Sequence, residues 1–541
     1  MAAWDKTGLH GLMQTDQLKA LMGSEGASGN MEKHLKEIGA PAGSATWPDA
    51  FGIALYTAHN AELDTDEGHM LMYGDWGARA DAFAQLVDAS LADAVKKEKW
   101  KTESKDEIAG RKVVTVTIPE SDDVKAMRQE FGGLGVDMTS SKDTFLYVRD
   151  GTRFFVGTER AGIEEALEVV DGSRKSKLPD SKDYQAAMDQ LGAQDLSFAL
   201  LTGPMQKLLA GEGMGMMAMM QPMIQPLLGD VHAWCGGLKI QGTRGQVELT
   251  ATALVPGQKA GLWSLIGPSM PIEPPPPLIG PEAISYARFN VQFKEIMNVV
   301  NTVAANVPEM GDFLDPWLLN FGPAVTKALE SMGPGMWMSS QVRQPVTPES
   351  LVSSTIIACA NPKAVVPMLT QFGAPMGLEP RDVDGNTIFS SDSPPMSIGV
   401  SNGYMAMGDS KQVEQAMRAV GQRDLPSVSE NAAFKRAATA AGSDPVVGWG
   451  YSDLVARWAF DREMLKLKHK EMGTMPRLVD ESDDTPWAKR VGYKMPDDSM
   501  EKLATLEPST VAKFIGPMVW TCQKDDKGAV LRMWVMPAAS E

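Results

Sequence analysis

Cysteine is scarce in this 541-residue chain. Its three copies, Cys235, Cys359 and Cys522, stand far apart and form no C-x-x-C pair, which excludes a disulfide-stapled scaffold. Basic charge is also short: 51 Lys and Arg face 69 Asp and Glu, for a formal net charge of −18. Wrapping a phosphate backbone needs clustered Lys and Arg, so nucleic acid is not an expected partner. Long apolar runs are missing as well. A spanning helix needs roughly 18 uninterrupted apolar residues, and no stretch reaches that. The nearest, residues 213–229, is broken by Gln221, Pro222, Gln225 and Pro226. No transmembrane segment is expected. The first twenty residues carry Asp5, Lys6, Asp16 and Lys19 and show no apolar core of a signal peptide.

Recognisable catalytic patterns are equally thin. There is no H-E-x-x-H and no Walker A sequence. Gly399-Val-Ser401-Asn-Gly403 fits G-x-S-x-G, but a nucleophile elbow needs strand, turn, then helix. Here a second strand, Tyr404–Met407, follows at once, so Asn402-Gly403 reads as a hairpin turn. Catalysis needs convergent acid, base or nucleophile groups, and the chain offers no such set. We therefore expect no enzyme and no cofactor.

What the chain does have is an internal repeat. Phe145–Arg149, Asp150-Gly151 and Phe154–Gly157 lead into a helical pattern over Ile163–Val170. Met396–Ser401, Asn402-Gly403 and Tyr404–Gly408 lead into a matching pattern over Val413–Val420. Asp-Gly and Asn-Gly supply the positive φ of a tight hairpin. Downstream, Tyr184–Met188 and the strand Leu196–Leu201 match Asn431–Phe434 and Val446–Tyr451. Each half then closes with two strands, around Trp234-Cys235 and around Trp520–Cys522.

These matches predict an α+β protein of two tandem homologous halves, each a mainly antiparallel sheet with helices packed on one face. The first half spans residues 1–266 and the second 281–541. Residues 267–280, with Pro274–Pro277, form a proline-rich linker expected to be stiff and extended. A charged helical insertion at about 455–510 holds Lys466–Lys470 and Asp480–Asp484. In the first half, the spacing predicts strands Ala50–His59, Met70–Tyr73, Val113–Ile118 and Thr144–Arg149. It predicts helices Leu12–Met22, Asn30–Ile38 and Arg79–Lys97. The second half opens with a strand, Ala283–Asn290, that has no counterpart in the first. One expectation is that the native gene product extends upstream of Met1, with room for an export signal. The other is that this copy lost most of its first strand.

The hairpin–glycine–helix units, the segments Leu178–Leu201 and Leu425–Tyr451, and Pro281–Tyr286 resemble an uncharacterised family of bacterial envelope and secreted proteins, catalogued as a domain of unknown function. The resemblance covers most of both halves. It implies architecture and an envelope, periplasmic or extracellular location, and it brings no catalytic residues.

Two sets of residues are candidates for binding. Asp64, Asp66 and His69 gather oxygen and nitrogen ligands beside Gly68, with His59 across the hairpin, and are weak candidates for a cation; the favoured reading is a solvated hairpin loop, with no metal expected. Methionine is the compositional excess, with 36 copies. Met214, Met216, Met217, Met219, Met220 and Met223 form a charge-free segment suited to an adaptable apolar surface, or to core filling in place of Leu and Ile. The short basic runs Lys96–Lys101 and Lys466–Lys470 read as solvated helix faces. The expected function is non-catalytic binding or assembly through protein partners or self-association, with open sheet edges available for strand addition. The alternative is a carrier of a lipid or other apolar ligand on the Met-rich segment. A third is a hydrolase whose site the sequence does not announce.

Overall fold

In the computed structural model the described residues are 4–16, 18, 36–37, 39–40, 48–60, 65–119, 144–175, 178–203, 227, 229–240, 245–256, 261–306, 322–374, 377–392, 395–401, 403–420, 422, 425–472 and 503–539. The Met-rich segment from Met205 to Met223, Asp64, the Asp480–Asp484 cluster, and most of the predicted helices Leu12–Met22 and Asn30–Ile38 lie outside them.

Two antiparallel sheets organise the chain. The first contains β1 (Ala50–Asn60), β2 (Thr65–Asp75), β3 (Lys101–Ile108), β4 (Arg111–Thr117), β5 (Thr144–Asp150) and β6 (Arg153–Gly157). Its spatial order is β1-β2-β6-β5-β4-β3. The second begins with β7 (Leu196–Leu201), β8 (Ala233–Ile240) and β9 (Val247–Leu254). It continues with β10 (Ser285–Asn290), β11 (Met332–Val342), β12 (Leu351–Cys359), β13 (Glu379–Val383) and β14 (Asn386–Asp392). β15 (Pro395–Ser401), β16 (Gly403–Gly408), β17 (Gly448–Ser452), β18 (Ile515–Lys524) and β19 (Gly528–Pro537) complete it. The order of this thirteen-stranded sheet is β13-β14-β15-β16-β12-β11-β10-β17-β18-β19-β9-β8-β7.

The division between sheets falls elsewhere than the linker. β9 pairs with β19 along eight residue pairs, so the last three strands of the first half extend the sheet of the second. The strand orders nevertheless match. β3-β4-β5-β6-β2-β1 runs as β13-β14-β15-β16-β12-β11 does, and β7-β8-β9 runs as β17-β18-β19 does. Only β10, which lies between β11 and β17, has no partner in the other half among the described residues.

Local chemistry explains the matched elements. Helix α1 (Gly8–Met13) follows a short turn at Trp4–Lys6, and α2 (Ala80–Glu98) and α3 (Arg160–Val170) cover the first sheet. Helix α4 (Lys182–Leu191) is capped by Ser181, whose hydroxyl accepts from Tyr184 N–H, and ends at Gly192 with φ 74°. After α5 (Ile296–Asn306), α6 (Pro362–Gly373) and α7 (Ser410–Ala419), helix α8 (Ala432–Ala441) repeats that arrangement. Asn431 caps it and Gly442, with φ 84°, ends it. A side-chain cap and a glycine beyond the last turn are what isolate a short helix. Helices α9 (Leu454–Met472) and α10 (Pro508–Ala512) complete the set.

The main core lies between the sheet and α7 and α8. Tyr286, Trp449, Tyr451, Val519 and Trp534 pack there against Val413, Met417, Phe434 and Ala437. Not every helix keeps to one face: α2 packs on Phe154 and α3 on Phe155, opposite faces of the first sheet, and α5 places Met297 in the same cluster as α6. α6 covers the face of the second sheet opposite α7 and α8, packing Val365 and Leu369 on Phe389, Ile398, Val400 and Met405. Those strands are apolar on both faces, so both need cover.

Two expectations change. The proline-rich linker is extended but not a free spacer: Leu278 and Ile279 sit in the core, and Met270 pairs with Val446. It is tied to β10 by buried Arg288, which bonds Glu273 at 3.0 Å. The Lys96–Lys101 run is not one helix face. Lys96 and Lys97 close α2, where cations suit the helix dipole, Lys99 turns back in the left-handed region at φ 60°, and Lys101 opens β3.

Candidate interaction site

Of the candidate metal ligands, Asp64 lies outside the described residues. Asp66 lies opposite His59 in the β1–β2 ladder, and His69 lies opposite Tyr56. His69 is buried, tilted against the Tyr56 ring at 5.6 Å, with its Nε2 3.9 Å from Glu159. The Tyr56 hydroxyl donates to Glu159 at 3.2 Å. Burial, then the adjacent carboxylate, push this phenol well above its ordinary range, so it stays a donor. Among the described residues no group of three metal-ligating side chains forms. Ser401 is buried at a strand-turn-strand hairpin, facing Tyr404. A cleft of about 880 Å³ is lined by Ser269, Gln292, Lys524 and Asp525, but the Lys524 ammonium is already spent on the Ile266 and Trp263 carbonyls.

The sheet edges are more informative. An edge strand offers unpaired N–H and C=O groups, and proteins blunt such edges with charge or proline. Two of the four edges are guarded in this way. β3 reads Lys-Thr-Glu-Ser-Lys-Asp-Glu-Ile, and β13 reads Glu-Pro-Arg-Asp-Val. The other two carry no such guard, and no further strand pairs with them among the described residues. β1 reads Ala-Phe-Gly-Ile-Ala-Leu-Tyr-Thr-Ala-His-Asn, and β7 reads Leu-Ser-Phe-Ala-Leu-Leu. Neither holds a proline or a charged carboxylate, Lys or Arg.

β7 is the more exposed. One face carries Leu196, Phe198 and Leu200 at 56, 65 and 39% exposure. The Phe198 ring lies over Gly236, where a Cβ would stand 2.3 Å from it. The row continues across the sheet to Leu249, which is also exposed. The other face is held by α4, with Ala187 and Leu191 against Ala233, Cys235 and Leu254. Thr202 N–H donates to His232 O, which sets the phase of the β7–β8 ladder. Alternate residues point to opposite neighbours, so Ser197, Ala199 and Leu201 direct their backbone groups to the open side.

At the base of this strand His232 lies between Asp183 (3.0 Å) and Asp230 (3.2 Å). The Asp183 hydrogen bond, the leading cause, holds the imidazole above its ordinary pKa. The site thus combines a bare backbone edge, an apolar row and an acidic base. A signal for it was present in the sequence: Leu196–Leu201 is apolar on both faces, as a strand with neighbours on all sides would be.

No family model matches this chain, and no curated protein matches it. One solved structure, "Structure of crystal form I of TP0453", is similar at 11% identity, over 47% of this chain and 74% of that one, with a TM-score of 0.23. Among the described residues no helix is long and apolar enough to cross a membrane.

Proposed function

We propose that this chain is a non-catalytic binding or assembly protein of the bacterial envelope or exterior, acting by β-strand addition at the β7 edge. The observation that carries the reading is the pairing of an uncharged open edge with the exposed row Leu196, Phe198 and Leu200. Main-chain hydrogen bonds would supply affinity and the apolar row specificity. The envelope setting comes from the sequence resemblance alone. The two halves are proposed to descend from one duplicated unit, with matched strand orders as support.

Native mass spectrometry and sedimentation of the purified chain test this. A polypeptide companion or concentration-dependent oligomers, lost in Phe198→Asp, support the reading. A monomer with a stoichiometric lipid overturns it in favour of a carrier. Turnover in an esterase, protease or phosphatase screen overturns the non-catalytic part.

A further inference from the structure

The two bare edges occupy related places. Ser181 and Asn431 both cap, Gly192 and Gly442 both terminate, and each pair is 250 residues apart. The same spacing sets Ala199 at the place of Trp449 and Leu201 at that of Tyr451. In the second half, Trp449 and Tyr451 are the residues opposite Arg288 and Tyr286 of β10. Asn290 N–H donates to Val447 O, so the odd-numbered residues of β17 face β10. Their counterparts Ser197, Ala199 and Leu201 on β7 face a side where no strand pairs among the described residues.

β1 answers on the other side. Gly157 pairs with Leu71 as Gly408 pairs with Ser354. Leu71 in turn pairs with Ala54 as Ser354 pairs with Ser339. Carrying this register along places Ile53 and Phe51 where Met338 and Met336 stand, opposite Ala287 and Phe289 of β10. Phe51 and Ile53 are both exposed.

We propose that β1 and β7 are the two banks of one slot, which takes a single extended strand from a separate polypeptide, antiparallel to both. This rests on the strand-addition reading of β7 and names the partner's chemistry. The occupant is an uncharged or lightly charged strand of about six residues that alternates as Ser285–Asn290 does. Its residues directed at α4 must be large. Tyr286 fills that place in the second half against Phe434 and Trp449, whereas Ala199 replaces Trp449 in the first and leaves more room. Its residue opposite Phe198 must be smaller than Phe289, because Phe198 stands where the second half has Gly448, even though its ring leans over Gly236 of β8. Filling the slot joins the six-stranded sheet to the thirteen-stranded one.

The test uses the full chain and a synthetic peptide of its own residues Ala283–Gln292, with Phe289 replaced by alanine. Binding is read by fluorescence anisotropy and by residue-resolved hydrogen exchange. The expected result is binding, with new protection at Ala199 and Leu201 on one bank and at Phe51 and Ile53 on the other. Ala199→Pro and Ile53→Pro each remove one outward N–H and should each weaken binding at least about tenfold. Protection and weakening confined to β7 overturn the two-bank slot but leave the strand-addition reading intact. No protection on either bank at millimolar peptide overturns both. A β7-to-β7 dimer that the peptide cannot dissociate replaces the separate strand by a second copy. Exchange on the unsubstituted chain decides the matter even where a proline variant fails to fold.

Discussion

Truncating Phe198 to alanine should separate folding from binding. A phenylalanine offers about 200 Å² of surface, and 65% of this one is exposed in the free chain. A partner that covers it removes about 130 Å² from water, worth about 3 kcal/mol at ~25 cal/mol per Å². That is roughly a hundredfold in Kd. The buried third of the ring lies over Gly236, so the same truncation should cost the free chain only about 1.5–2 kcal/mol. Urea unfolding gives the second number. Titration with the β10-derived peptide, or the concentration dependence of self-association, gives the first. If Phe198→Ala costs more stability than affinity, the ring belongs to the internal core and the reasoning fails.

Three other outcomes follow from the structure. Glu273→Gln leaves the buried Arg288 guanidinium without its ion partner and should cost about 1–3 kcal/mol in urea, less than a fully buried pair because Glu273 is half exposed; no change would mean that the linker is not anchored to β10. His232 has its folded pKa raised above the ordinary 6.5 by Asp183, so its pairing stabilises fully below about pH 6.5 and is lost as pH rises through the folded value. His232→Gln should therefore lower the urea midpoint at pH 5.5 and much less at pH 8.5, and an equal loss at both would refute the pairing. Burial pushes all three thiols up, Cys522 to about 11, so iodoacetamide at pH 7.4 should label the native chain at least ~100-fold more slowly than the urea-unfolded chain; prompt labelling of any of them would contradict that packing.

Much of the architecture was legible in local chemistry. Strands Ala50–Asn60, Arg111–Thr117 and Thr144–Asp150 and the helix Ala80–Glu98 fall within a few residues of where alternation and 3.6-residue periodicity put them. Asp150-Gly151 and Asn402-Gly403 made the two hairpins readable as turns, and Gly151 and Gly403 stand at positive φ. β3 was not legible. Lys101–Ile108 is charged on both faces, a composition that suits a guarded edge but resembles a loop. The docking of β9 onto β19 was hidden as well, because cross-half register depends on packing that periodicity does not report. The full length of β2 was hidden too: only Met70–Tyr73 of Thr65–Asp75 was read as strand.

The open edge itself admits a direct comparison within one molecule. Residue-resolved hydrogen exchange of the free chain reports β7 and β17 under identical conditions. Ala199 and Leu201, on a side where no strand pairs among the described residues, should exchange within seconds, while Trp449 and Tyr451, bonded to β10, should be slower by at least ~10³-fold. Equal protection of the two pairs would show that β7 is already covered, and the account built on its vacancy would be wrong.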